Sequence, residues 1–113
     1  MAQAAGKLRH RVELQEQQIA QDPNTGEMLS TWVTIACPWA EIVPLSAREF
    51  IAASAEQSEV RARIVIRYRQ DVNASMRIVY RGLAYNILGV LADPVSGLEY
   101  LTLPVSEGVR LDQ

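Results

Sequence analysis

Residues 60–69 read Val-Arg-Ala-Arg-Ile-Val-Ile-Arg-Tyr-Arg. Val60, Ala62, Ile64, Ile66 and Tyr68 alternate with Arg61, Arg63, Val65, Arg67 and Arg69. A period of two is the signature of a β-strand, because successive side chains point to opposite faces. One face must feed a core. The other carries a row of guanidinium groups broken only by Val65, and these must meet water, carboxylates or phosphates. A chain built around such a strand is constrained to a sheet with one buried face.

The chain has 113 residues, enough for one domain, residues 1–113. A chain of this length buries roughly two-thirds of its unfolded surface and can fold without metal or disulfide. The formal net charge is -2, but the charge is unevenly placed. From Arg61 to Arg81 there are six arginines and one acid, Asp71; the rest of the chain carries five bases and twelve acids. A basic segment on an acidic body suggests a charge-complementary partner, or self-association of unlike faces. The single cysteine excludes an intrachain disulfide and fits a reducing compartment. No apolar run reaches the ~18 residues of a membrane helix, and no apolar signal core occupies the N-terminus. The reading is therefore a chain with no membrane partner, made in the cytoplasm.

Further strands follow from the same period. Val12 and Leu14 point one way, with Arg11, Glu13 and Gln15 opposed. The continuation Glu16-Gln17-Gln18 is polar, so this strand is expected to leave the core and project, with residues 16–30 as a long loop. Asp22-Pro23-Asn24-Thr25-Gly26 forms its turn. Residues 30–36 return as a second strand, Pro38 interrupts the ladder, and residues 39–43 resume it. Arg81-Gly82-Leu83 joins two strands in a tight hairpin, and residues 93–97 form another turn before a last strand at 98–105.

One helix is expected, over residues 47–56. Ser46 can accept from the Glu49 N–H while Glu49 reaches back to the Ser46 N–H, with Leu45 and Phe50 at the spacing of a hydrophobic staple. Phe50, Ile51 and Ser54 would form its inner face, packed on a sheet. Residues 1–6 read as a mobile arm, residues 70–75 as a polar loop and residues 107–113 as a tail. The fold class is mainly β: a small antiparallel barrel or sandwich of about six strands with one short helix and long loops. Barrel closure would remove exposed strand edges.

Chemistry is scarce. The sole histidine, His10, lies between Arg9 and Arg11, and no spacing supplies it with a nucleophile and an orienting acid. It reads as a surface or partner contact. Cys37, between Ala36 and Pro38, reads as a small buried hydrophobe rather than a reactive thiol. One histidine and one cysteine do not make a zinc set, and no glycine-rich phosphate loop is present. Trp32 and Trp39 read as core. The expectation is a protein that is not an enzyme and has no catalytic, cofactor-binding or metal-binding residues. The arginine stripe remains. It is either a solvated sheet face opposed by cross-strand acids, or a contact face for a protein ring or for nucleic acid. A hairpin would set Arg77 and Arg81 near Arg61, Arg63, Arg67 and Arg69.

Several segments together resemble the head–tail joining proteins of bacteriophages, also called head-completion, stopper or head-closure proteins. They are Gly6-Lys7-Leu8-Arg9-His10-Arg11-Val12-Glu13-Leu14-Gln15, Trp39-Ala40-Glu41-Ile42, Pro44-Leu45-Ser46-Ala47-Arg48-Glu49-Phe50, Ile66-Arg67-Tyr68-Arg69, Met76-Arg77-Ile78-Val79-Tyr80 and Tyr85-Asn86-Ile87. The resemblance spans residues 6–107. It implies a small β-barrel of a tailed phage or prophage, placed in the virion as one subunit of a ring beneath the portal–adaptor complex. Its partners would be portal and adaptor proteins, a tail or tail-completion protein, further copies of itself, and the packaged DNA in the channel; no cofactor is implied. The candidate contact residues are Arg9, Arg11, Arg48, Arg61, Arg63, Arg67, Arg69, Arg77 and Arg81. The segments 16–30 and 70–75 are candidates for the channel or tail side. The alternative is a nucleic-acid-binding small barrel using the basic segment from Arg61 to Arg81.

Overall fold

The alternating segment becomes the central strand of a five-stranded sheet in a computed structural model that describes residues 8–111. The strands in chain order are β1 (His10–Arg11), β2 (Glu13–Gln21), β3 (Met28–Ala36), β4 (Trp39–Pro44), β5 (Ala62–Arg67), β6 (Arg77–Tyr80), β7 (Leu83–Asn86), β8 (Leu91–Ala92), β9 (Tyr100–Val105) and β10 (Val109–Arg110), with one helix, α1 (Ala47–Ala55), between β4 and β5. One sheet has the order β1-β4-β5-β9-β8 and the other β10-β7-β6-β2-β3, with every pairing antiparallel. The fold is thus the sandwich of the two expected forms, and it is not a closed barrel. Ten strands replace the expected six or so, and three of them, β1, β8 and β10, are only two residues long. Runs that short have no period to read and are fixed by their neighbours.

The core follows from the register. Across the first sheet, Ala40, Ile66 and Leu101 lie side by side, as do Ile42, Ile64 and Leu103. Across the second, Leu14 lies beside Ile78. These residues meet Val12, Val72, Met76, Ile87 and Val105 between the sheets in one cluster. Val12 and Leu14 are buried while Arg11 and Glu13 are exposed, as the alternation requires.

The sheets share a corner. β1 runs into β2 through Val12, and β3 into β4 through Cys37 and Pro38, so one long hairpin bends from one sheet into the other. Val12 N–H donates to the Pro38 carbonyl at 3.1 Å where the ladder would otherwise break. Pro38 itself has no N–H to contribute. On the far side, an isolated bridge links Ile87 and Val105. The two-residue turn from β6 to β7 places Arg81 at φ 52° and Gly82 at φ 77°, the positive pair that matches strand twist. At Gly108 a Cβ would stand 2.9 Å from the Tyr85 ring, so any other residue would have to displace that ring for β10 to approach β7.

Two expectations are corrected. Residues 16–30 are not a loop: β2 and β3 stay paired from Leu14–Ala36 out to Gln21–Met28 and leave the sandwich as a two-stranded arm. Only the tip is a turn, where Gly26 N–H donates to the Asp22 carbonyl and Asp22 N–H to the Glu27 carbonyl. The helix begins at the expected capping box, with Ser46 Oγ accepting from Glu49 N–H and Glu49 Oε1 from Ser46 N–H. Its inner face, however, is absent: no residue of α1 is buried, and Phe50 and Ile51 are 47% and 67% exposed. The tail contributes β10; the expected arm at residues 1–6 lies outside the described residues.

Candidate assembly interface

The nine candidate arginines fall into two groups. Arg61, Arg63, Arg69 and Arg77 are half-buried, whereas Arg9, Arg11, Arg48, Arg67 and Arg81 are exposed. The half-buried group holds the protein's own parts together. Arg63, on the outer face of β5, makes two parallel bonds to Glu49 of α1, at 2.9 and 3.1 Å. Arg69 does the same with Asp71 in the following loop, at 3.0 and 2.9 Å. Arg61 donates to the carbonyls of Ser58 and Val60 and lies 5.2 Å over the Phe50 ring. Arg77 donates to Gln15 Oε1 at 2.8 Å, its cross-strand neighbour, and sits 4.3 Å over Trp32.

These contacts set the charge states. The Arg63 guanidinium, aided by the Ser46 N–H, pulls Glu49 from 4.5 down to about 2. Arg69 lowers the Asp71 carboxyl, and Asp71 in turn raises Arg69. Burial lowers Arg77. The acids that answer the stripe come from the helix and a loop, not from the facing strands, where Arg63 is flanked by Val43 and Pro104.

The exposed group uses aromatic rings. Arg11 lies 5.2 Å over Trp39, its partner across the ladder, and donates to the Cys37 carbonyl at 2.6 Å. Arg67 lies 5.8 Å over Tyr100, again its cross-strand partner, and Arg81 lies 5.1 Å over Tyr80. A guanidinium over a ring keeps its outer edge available to a carboxylate or phosphate. Arg9 lines an open hollow of about 330 Å³ with His10, Glu41 and Ile42. Arg48 lies in the first turn of α1.

The six arginines from Arg61 to Arg81 do not make one stripe. β5 and β6 belong to different sheets, so Arg77 and Arg81 are separated from the β5 row. Within that row Val65 is buried with Leu8 and Tyr100, which splits Arg63 from Arg67. Three further readings are corrected. Cys37 is exposed at the corner between β3 and β4 rather than buried. Trp39 is 51% exposed, and Trp32 is half-buried beneath Arg77; neither belongs to the core cluster. His10 does find a partner, the Tyr80 hydroxyl at 2.8 Å, but no nucleophile. Among the described residues no group of three or more His, Cys, Asp or Glu is placed to hold a metal ion, and no helix is long and apolar enough to cross a membrane.

The feature that the arginine pattern did not point to is the β2–β3 arm. Residues 16–21 extend about 20 Å at the usual rise per residue. Ile19, Met28 and Leu29 are exposed on it. The sandwich thus carries a projecting two-stranded arm and surface arginines laid over aromatic rings.

Comparison with known proteins gives the family. Residues 4–108 match the family model of the phage head completion protein, and the chain belongs to that family of structural virion proteins. It is similar to head completion protein gp7 of Enterobacteria phage HK97, with 30% identity over 89 residues that cover 74% of this chain and 79% of that protein. The fold is similar to the solution structure of a Shigella flexneri 2a protein, with a TM-score of 0.75 and 34% identity over 95% of this chain and 98% of the other. It is also similar to a chain of the virion of a native gene transfer agent particle, with a TM-score of 0.63 and 22% identity over 90% and 96%.

Proposed function

We propose that this protein joins the DNA-filled head, on its portal and adaptor side, to the tail, as one subunit of a ring that helps to close the DNA channel. It is made in the cytoplasm of a bacterial host from a phage or prophage gene and acts without chemistry. The observation that carries this reading is the β2–β3 arm standing out from a sandwich of the head completion family. The body supplies rigidity through its core, while the arm supplies reach. Arg9, Arg11, Arg48, Arg67 and Arg81 are the exposed arginines from which contacts to neighbouring subunits or to portal carboxylates are drawn. A contact between two different faces, repeated about an axis, closes into a ring.

The test is reconstitution. Purified chain added to DNA-filled, tail-less capsids should bind them and restore tail attachment when tails are supplied. Capsids that take up none of it would end this reading. The alternative of a nucleic-acid-binding barrel is left with Arg67 and Arg81 alone, since the other four of the six arginines from Arg61 to Arg81 are half-buried and engaged within the chain.

A further inference from the structure

The two sheets end in four edge strands, and three of these, β1, β8 and β10, are two residues long. Short edges are one of the ways in which proteins avoid unwanted strand pairing; charges, prolines and bulges are others. The fourth edge, β3, has one register shift at its inner end, where Ile35 is the extra residue between the Leu14–Ala36 and Gln15–Thr34 pairs; from Met28 to Thr34 it uses none of these devices. Its nine residues, Met-Leu-Ser-Thr-Trp-Val-Thr-Ile-Ala, contain no charge, no proline and no glycine, and they are rich in β-branched and aromatic types. No described strand pairs with its outer side. The opposite edge of the arm, residues 16–21, carries Glu16 and three glutamines and is less suited to pairing.

Charge selects what can lie there. Residues 12–36 contain Glu13, Glu16, Asp22 and Glu27 and no lysine, arginine or histidine. The arm itself, residues 16–30, holds three of these acids, and its charge of −3 repels DNA as well as the same arm of a second copy. A second copy's other edges, at two residues, are too short to match nine. Like charges brought together at an interface are strongly disfavoured, whereas unlike charges fix register. Exposed Met28 and Leu29 give an added strand apolar contacts at the arm's outer end.

We infer that the outer edge of β3 is a docking strand that receives an extended, lysine- or arginine-rich segment of a partner polypeptide by strand addition. Backbone hydrogen bonds supply the affinity, and the acids of the arm select the partner's charge. This goes beyond the joining role and does not depend on it, because the test uses the purified chain without capsids.

The probe is a nine-residue synthetic peptide alternating lysine with valine and threonine. One control has glutamate for lysine, and a second has proline at alternate positions so that it cannot donate to the ladder. Amide hydrogen exchange of β3 is the readout, with sedimentation to record oligomeric state. The lysine peptide should slow the outward amides of β3 about tenfold or more, and neither control should do so. Changing Glu16→Gln and Glu27→Gln together should weaken the effect several-fold. The inference is overturned if the lysine peptide gives no protection, if the glutamate or proline peptide protects equally, or if the paired substitutions change nothing. It is also overturned if β3 is protected in a dimer of the chain alone, which would make a second copy the occupant.

Discussion

Glu49 of α1 and Arg63 of β5 meet side by side, Oε2 to Nη1 at 2.9 Å and Oε1 to Nη2 at 3.1 Å, and the same Glu49 carboxylate closes the capping box with Ser46. One side chain therefore both starts the helix and ties it to the sheet. With no buried residue of its own, α1 depends on this link and on the contact between Arg61 and Phe50. An isolated helix of nine residues would not persist in water. Glu49→Gln keeps an oxygen for the Ser46 N–H and removes the ion pair. Amide exchange in α1 should quicken, while the unfolding midpoint of the sandwich stays within error. Both groups are partly solvated, so a large loss of global stability would contradict this assignment.

The same pair gives a pH dependence. The folded-state value of Glu49 is depressed from 4.5 to about 2, so its contribution is fully present above 4.5 and is lost as pH falls toward 2. Asp93 shifts in the same direction, held by the backbone N–H groups of Glu99 and Ser96. Acidification from about pH 5 to about pH 2 should release α1 and loosen the turn at residues 93–97. Exchange measured across that range checks it. In Glu49→Gln the acid-dependent change in α1 should vanish, while that at the turn remains.

Packing predicts a sharp contrast between two isoleucines. Ile64 is fully buried beside Leu103, whereas Ile51 is 67% exposed on α1. Ile64→Ala should cost about 2–5 kcal/mol in denaturant unfolding. Ile51→Ala should change stability by about 0.5 kcal/mol or less. Equal costs would mean that the helix packs on the sheet after all.

The β6–β7 turn gives a backbone test. Gly82 has φ 77°, and the space its missing Cβ would occupy is open to 4 Å, so the cost of Gly82→Ala is conformational and not steric. It should destabilise by about 1–2 kcal/mol, the cost of a left-handed backbone for an L-residue, as read from denaturant unfolding. Gly108→Ala differs, because its methyl would press on Tyr85. It should free β10 locally, seen as faster exchange at Val109 and Arg110.

Much of this was legible from residue order, for local reasons. The alternation around Ile64 and Ile66, the capping box of Ser46 and Glu49, and the turns at Gly26 and Gly82 are set by neighbours within a few positions. The polar run Glu16-Gln17-Gln18 announced that β2 leaves the core. What was not legible depends on distant partners. A helical period marks which face Phe50 and Ile51 share but not whether anything covers it; here Arg61 takes the Phe50 ring. Cys37 and Trp39 lie in an apolar stretch, yet the stretch is the outer side of a corner. Arg63 is matched by Glu49, on a helix that no strand period identifies as its neighbour, whereas Arg69 is matched by Asp71 only two positions on, a pairing that lies within the residue order itself.

The proposed place of this chain, as a fitted part of the virion at the junction of head and tail, is tested most directly by electron microscopy. Gold-labelled antibody against the chain is applied to intact particles and to particles with tails detached. Label should concentrate at the vertex where the tail meets the head, and should become more accessible once the tail is removed. Label spread over the capsid surface or along the tail, or absent from particles altogether, would contradict that placement.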